Sequence, residues 1–131
     1  ECIDPHFGFS RYAERLARSA SNFDELYGAL QLELTYTDRI LILILEEKMR
    51  EVSPELVSLS VPFPGNLYSA FRIAQWLKAH YPDVKIAMGG GFPNTELRSV
   101  SDVRVFEFFD FICHICQCSS WSFISLNLWM C

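Results

Sequence analysis

The chain has 131 residues, of which 50% are hydrophobic and 21% are charged, and this is enough for one core and one domain. Its formal net charge of −5, from 16 acidic and 11 basic residues, offers no basic surface for nucleic acid or for an anionic membrane. The longest clean apolar run, residues 40–45, is far shorter than the roughly 18 residues of a membrane span. We therefore expect a soluble protein with neither nucleic-acid nor membrane partners.

The cysteines and the charges both divide the chain near Ile112. Four of the five cysteines lie in residues 113–131, and every charged side chain lies at or before Asp110. An odd and unevenly placed set of cysteines argues against a disulfide framework and predicts a cytoplasmic location. We expect a domain over residues 1–112 and an uncharged tail over 113–131. The chain starts at Glu1 without a methionine or a leader, which predicts a fragment boundary.

The first half of the chain is predicted to be helical. Ser10 is suited to cap a helix that begins at Arg11, and a second helix is expected over residues 23–32. Residues 38–52 end in a charged run of helix-forming residues before Pro54. Residues 40–45 alone are also compatible with a strand, but the length of the whole run favours one helix.

The second half predicts a strand, a helix and a strand. Residues 56–61 and 84–88 are short apolar runs, and residues 66–81 between them carry apolar side chains at helical spacing, with Asn66 as the expected cap. Such a unit is typical of a parallel sheet that is covered on both faces, with a right-handed crossover. Residues 94–108 predict two short helical pieces, and residues 109–112 a third parallel strand.

Two loops follow the predicted strands at the edge where α/β sheets bind ligands. Residues 60–66 form a proline-rich loop and residues 89–94, "GGGFPN", a glycine-rich one. Bare glycine backbone permits close approach of a ligand. The dinucleotide pattern G-x-G-x-x-G lacks its third glycine, since Asn94 stands there, and no phosphate-binding G-x-x-x-x-G-K-[ST] motif is present. The alternative is that the glycines only form a turn and the start of a helix.

The stretch "LVSLSVPFPGNLYSAFRIAQWLKAHYPDVKIAMGGGFPNTELRSVSDVRVFEFFDFI" resembles the cobalamin (vitamin B12)-binding domain that precedes the catalytic barrel of many radical S-adenosylmethionine proteins. That fold places a Ser-x-Leu element after one strand and a Gly-Gly pair after the next. Here Ser60-Val61-Pro62 and Gly89-Gly90 are separated by 26 residues, which fits the usual spacing, although Pro62 replaces the leucine.

The resemblance implies a Rossmann-like three-layer α/β fold, with a parallel sheet flanked by helices, that is incomplete in this chain. It also implies that the corrin ring lies at the carboxyl ends of the strands. Ser60 would offer its hydroxyl and the glycines their backbone, while Asn66 and Asn94 are better suited to be helix caps than cofactor ligands. The cofactor-binding residues predicted in this way are Ser60, Val61, Pro62, Phe63, Asn66, Gly89, Gly90, Gly91, Phe92 and Pro93.

The parent family also uses a 4Fe–4S cluster and S-adenosylmethionine, held by a Cys-x-x-x-Cys-x-x-Cys motif in a catalytic domain on the same chain. Cys113-x-x-Cys116-x-Cys118 has the wrong spacing, so we expect the cofactor domain without catalysis of its own. Relatives of the methionine-synthase type bind cobalt through the His of Asp-x-His-x-x-Gly. The segment Asp4-Pro5-His6-Phe7-Gly8 is one residue short of that motif, and we interpret it as a coincidence.

Two other functions are open at this point. Cys113, His114, Cys116, Cys118 and Cys131 carry enough soft ligands for a zinc or iron–sulfur site, although the uncharged composition of residues 113–131 favours a non-native end. The second alternative is an α/β interaction fragment without a cofactor, in which the two loops merely begin helices.

Overall fold

The computed structural model describes residues 23–63, 65–91, 93 and 102–113. In chain order these residues form three α-helices, three strands and one short 3-10 helix. The elements are α1 (Phe23–Gln31), α2 (Tyr36–Val52), β1 (Leu56–Ser60), α3 (Asn66–His80), β2 (Lys85–Gly89), the 3-10 helix (Val103–Glu107) and β3 (Phe111–Ile112). The predicted helix after Ser10 and residues 94–101 lie outside the described residues.

The three strands form one parallel sheet in the order β1-β2-β3. Helix α3 connects β1 to β2, as the sequence predicts for parallel neighbours, which cannot be joined by a tight hairpin. The third strand is predicted over residues 109–112 but pairs only through Phe111 and Ile112. The chain is therefore a small, incomplete Rossmann-like α/β fold.

The core lies between the helices and one face of the sheet. Val57 and Leu59 of β1 and Ile86 and Met88 of β2 belong to the same buried cluster as the helices. Successive strand residues point to opposite faces, and Ala87 is not part of this cluster. The described helices thus pack on one face of the sheet, and Ala87 on the other face is also buried.

Helix α3 packs its predicted apolar face into this core. Leu67, Ala70, Phe71, Ala74 and Leu77 are all buried. Phe71 makes edge-to-face contacts with Phe108 and Phe109, with ring centroids 5.1 and 5.0 Å apart, a geometry that aromatic rings prefer. These contacts attach the chain before β3 to the helical layer.

The helix ends differ from the prediction at two positions. Helix α2 begins at Tyr36 rather than at residue 38, because Thr35 caps it and Asp38 accepts a hydrogen bond from the Thr35 N–H in return. The prediction that Asn66 caps α3 is wrong: the capping position is Gly65 and no side chain caps the helix. The N–H of Asn66 already donates to the carbonyl of Phe63, so Asn66 lies inside the first turn.

Residues 102–108 are less regular than expected. The part of the predicted helical stretch that is described forms a 3-10 helix, capped by the Asp102 side chain. Arg104 binds both Asp102 and Asp24 at 2.6 Å, and its guanidinium lies over the rings of Phe23 and Tyr27. The 3-10 helix is in this way attached to α1. No helix of the described residues is long and apolar enough to cross a membrane.

Candidate functional site

The two loops of interest are neighbours at one edge of the sheet. In the parallel register of β1 and β2, Ser60 lies opposite Gly89, and the N–H of Val61 donates to the carbonyl of Gly89 over 2.7 Å. Both strands end here, so the loops that follow them leave the sheet at the same edge. The prediction that β1 and β2 are adjacent and that their loops share this edge is confirmed. We call this region the carboxyl edge, defined by Ser60–Phe63, Gly89–Gly91 and Cys113.

Three of the four residues from Ser60, the last residue of β1, to Phe63 are exposed to solvent. Ser60, Pro62 and Phe63 are exposed, Phe63 to 61%, whereas the side chain of Val61 is completely buried. The side chain of Val61 is therefore not accessible to a ligand at this edge. Asn66 is exposed in the first turn of α3.

The three consecutive glycines, of which Gly89 is the last residue of β2, have three different surroundings. Gly90 has a φ of +111°, and a Cβ at this position would lie 2.7 Å from the backbone N and O of Val61. A Cβ at Gly91 would lie 3.3 Å from the carbonyl oxygen of Pro62, and one at Gly89 would be in ordinary contact with the Cβ of Cys113. Gly90 is thus required by the contact between the two loops, because only glycine fits both the backbone angle and the space.

The residues predicted for the second loop also differ in exposure. Pro93 is fully buried and so belongs to the interior rather than to the exposed surface of the loop. Gly91 is exposed. Phe92 and Asn94 lie outside the described residues.

Cys113, the first residue of the tail predicted from the sequence, lies at the carboxyl edge. Its N–H donates to the carbonyl of Met88 over 2.7 Å, which places it beside Gly89, and it is a free, exposed cysteine. His114, Cys116, Cys118 and Cys131 lie outside the described residues. Within the described part of the chain, no group of three His, Cys, Asp or Glu side chains is arranged to hold a metal ion, and the Cys-rich metal site stays a prediction.

The described histidine lies at the other end of the sheet. Helix α3 starts where β1 ends and finishes before β2 begins, so His80 in its last turn is on the amino side. His80 stacks on Trp76 with ring centroids 4.5 Å apart, and its Nδ1 is 2.9 Å from the Trp76 carbonyl. These contacts indicate a structural role for His80. The segment with His6 lies outside the described residues.

A buried polar network in the helical layer was not predicted from the sequence. The side chains of Asp38 and Arg72 are only 4% and 3% exposed, with Arg72 Nε 3.5 Å from Asp38 Oδ2. The hydroxyl of Tyr68 donates to Asp38 Oδ2 over 3.0 Å and accepts from Arg72 over 2.6 Å. Burial raises the pKa of Tyr68, against the opposing effect of Arg72. The network links α2 to α3.

The same arginine also binds the end of α1. Arg72 donates to the carbonyls of Leu30 and Ala29 over 2.9 and 3.3 Å, and Gln75 donates to the Leu30 carbonyl over 3.1 Å. The last carbonyls of a helix have no partner within the helix, so Arg72 satisfies them from outside. We call Asp38, Tyr68, Arg72 and Gln75 the helix network; it joins all three helices. The helical spacing of Tyr68, Arg72 and Gln75 was a weak signal for it.

The amino end of the sheet carries a second charged cluster. Asp110 accepts hydrogen bonds from the Ile86 N–H over 2.9 Å and from Lys78 over 2.7 Å, and Lys85 lies 3.6 Å away. Burial acts to raise the pKa of Asp110, but the hydrogen bonds from Lys78 and Ile86 outweigh it, so the pKa lies below its ordinary value. This cluster stabilises the sheet on the side away from the two loops.

Comparisons with known proteins add no family to this description. No family model, no curated protein and no solved structure matches the chain.

Proposed function

We propose that the carboxyl edge binds cobalamin and that the chain is the cofactor-binding part of a B12-dependent radical S-adenosylmethionine enzyme. The observation that supports this most is the register of the sheet, in which Ser60 lies directly opposite Gly89. The two sequence elements that resemble the cobalamin-binding fold are therefore side by side. They are also at the edge where open α/β sheets bind ligands.

The exposed residues of the carboxyl edge suit a broad, flat ring. Phe63 offers an exposed aromatic face, Gly91 an exposed position without a side chain, and Ser60 a hydroxyl. Val61, Gly90 and Pro93 would act indirectly, because their atoms are committed to the contact between the loops or to the interior. The ring would thus rest mainly on Ser60, Phe63 and Gly91.

Bound cobalamin would supply a redox-active cobalt, and the residues of this chain would hold the ring and shield one of its faces from water. Histidine is the usual protein ligand of cobalt in the related fold. His80, the only histidine among the described residues, lies at the opposite end of the sheet. The described part of the chain would therefore bind the ring without a histidine ligand to cobalt. The parent's iron–sulfur cluster and S-adenosylmethionine would belong to a catalytic domain on the same chain.

A titration with hydroxocobalamin tests the proposal. We expect the full 131-residue chain to shift the visible spectrum of hydroxocobalamin and to retain cobalt after gel filtration at tens of micromolar. Phe63→Ala should weaken binding roughly tenfold, the value of about 1.4 kcal/mol of lost contact. Phe106→Ala is the matched control, because Phe106 is 60% exposed, nearly the same as Phe63, but belongs to the 3-10 helix.

The control should bind like the unmodified chain. Absence of both the spectral shift and retained cobalt would overturn the proposal. Equal losses in Phe63→Ala and Phe106→Ala would overturn the assignment of the ring to this edge.

A second candidate is favoured by Gly90. The contact with Val61 explains the missing side chain at this position without any ligand, as expected of an α/β interaction fragment whose loops only pack against each other. This candidate predicts no cobalamin binding by the unmodified chain, so the same titration separates the two functions.

A further inference from the structure

Helix α2 carries two apolar stripes on opposite sides. Leu41, Leu45 and Met49 are buried against the rest of the fold. On the other side, Ile40 and Ile44 follow Tyr36 at intervals of four residues and Leu43 comes three residues after Ile40; all four are exposed, Leu43 to 65%. Residues three and four apart lie on one helix face, so the exposed side chains form a continuous stripe, which we call the outer stripe. A surface helix normally has a single apolar stripe.

Most charged side chains of α2 have an ion pair among the described residues, but two near the outer stripe do not. Lys48 pairs with Glu51, Arg50 with Glu46, and Asp38 belongs to the helix network. Arg39 and Glu47 are the charged side chains of α2 that have no ion pair among the described residues. They have opposite charges and both are exposed.

The positions of these two residues are symmetric about Leu43. Arg39 comes four residues before Leu43 and Glu47 four residues after it, about 6 Å along the axis in each direction at 1.5 Å per residue. If a second α2 lies antiparallel across the first with its Leu43 on the same two-fold axis, each Arg39 faces the Glu47 of the other copy. The surface is thus complementary to itself, which a two-fold interface requires.

We propose that the outer stripe is a dimer interface and that its occupant is a second copy of this chain, with the two α2 helices antiparallel and crossing at Leu43. The apolar side chains of the stripe become buried between the helices. The two Arg39–Glu47 pairs fix the direction and register of the helices, as charges beside apolar seams do in helix pairs. This inference is independent of cobalamin binding, because α2 contributes no residue to the carboxyl edge.

Sedimentation equilibrium of the full chain at tens of micromolar tests the proposal. We expect the unmodified protein to have twice the mass of one 15.1 kDa chain. Arg39→Glu places two pairs of glutamates face to face, and Glu47→Arg places two pairs of arginines face to face. Each variant should therefore have the mass of a monomer at the same concentration. Both positions are exposed, and far-UV circular dichroism would verify that each variant is folded.

Two recombined samples make the test specific to this geometry. An equimolar mixture of Arg39→Glu with Glu47→Arg should regain the dimer mass, because the two introduced side chains then face each other and the unchanged Arg39 of one copy faces the unchanged Glu47 of the other. The double variant Arg39→Glu/Glu47→Arg should also be a dimer. Positions 39 and 47 are eight residues apart on one helix, too far to interact within a chain, so rescue in the mixture requires two chains.

Leu43→Glu provides a variant that the charge pairs cannot rescue. It places two carboxylates on the two-fold axis, and we expect a monomer. An unmodified protein that is monomeric, a dimer that persists in both charge variants, or a mixture that stays monomeric would each overturn the proposal.

Discussion

The helical layer and the carboxyl edge are stabilised by different kinds of contact. In the helical layer, charged and polar side chains far apart in sequence bind one another, as in the helix network. At the carboxyl edge, the described contacts join backbone to backbone, with Val61 against Gly89 and Gly90. The first arrangement encloses its polar groups, whereas the second leaves Ser60, Phe63 and Gly91 exposed. A region of the second kind is suited to meet a ligand.

The largest expected effect in this comparison comes from Arg72→Leu. The substitution leaves the buried carboxylate of Asp38 without its arginine and the last carbonyls of α1 without their donor. Removing one partner of a buried ion pair lowers the free energy of unfolding by about 3–5 kcal/mol. Urea unfolding, followed by circular dichroism, would measure the loss.

Arg50→Leu is the matched control for this prediction. Its arginine pairs with Glu46 on the surface of α2 and is 70% exposed, so we expect a loss of about 0.5 kcal/mol or less. Similar losses for the two variants would contradict the importance of burial in the helix network.

The next effect tests the carboxyl edge. Gly90→Ala forces a side chain into a backbone with φ of +111° and into contact with Val61, and we expect a loss of about 3 kcal/mol or more. Gly28→Ala is the control: Gly28 lies on α1 with no atom within 4 Å of its added Cβ, and this change should raise the free energy of unfolding by up to about 1 kcal/mol. A Gly90→Ala protein as stable as the unmodified one would disprove the close contact.

The difference between the two regions also explains what the sequence could predict. The predictions were correct for elements with a regular pattern. The apolar spacing of residues 66–81 predicts α3, and the short apolar runs around it predict the parallel pair β1 and β2. These features depend on neighbours along the chain. The edge shared by the two loops follows from the same pattern, because parallel neighbours end on the same side.

Contacts that depend on three-dimensional proximity could not be predicted. Asp38 and Arg72 are 34 residues apart, and no local pattern links a charge on one helix to a charge on another. The role of Gly90 depends on a positive φ and on the approach of Val61 from another loop, neither of which is written in the run of glycines. By contrast, the capping box at Thr35 could have been predicted from the sequence, because Thr-x-x-Asp is a variant of the usual Ser/Thr-x-x-Glu motif.

The smallest expected effect distinguishes charged contacts from backbone contacts by their pH dependence. Burial acts to raise the pKa of Asp110, but the hydrogen bonds from Lys78 and Ile86 to the charged carboxylate outweigh it, so the pKa lies below its ordinary value. A lowered pKa in the folded state contributes stability that is present above the ordinary Asp pKa of about 3.9 and is lost as the pH falls through the lower, folded value. Asp110→Asn should therefore cost about 1 kcal/mol near neutral pH, and the difference from the unmodified protein should disappear as the pH falls through the lowered pKa of the folded state.

Thermal unfolding of both proteins from acid to neutral pH would measure this difference, with Asp83→Asn as the control. Asp83 is exposed in the turn before β2 and makes no ion pair among the described residues, so its substitution should change the midpoint little at any pH. The loss in Gly90→Ala should also be independent of pH, because neither Gly90 nor Val61 has an ionisable group. A pH-independent loss in Asp110→Asn would mean that the amino end, like the carboxyl edge, is held by packing rather than by charge.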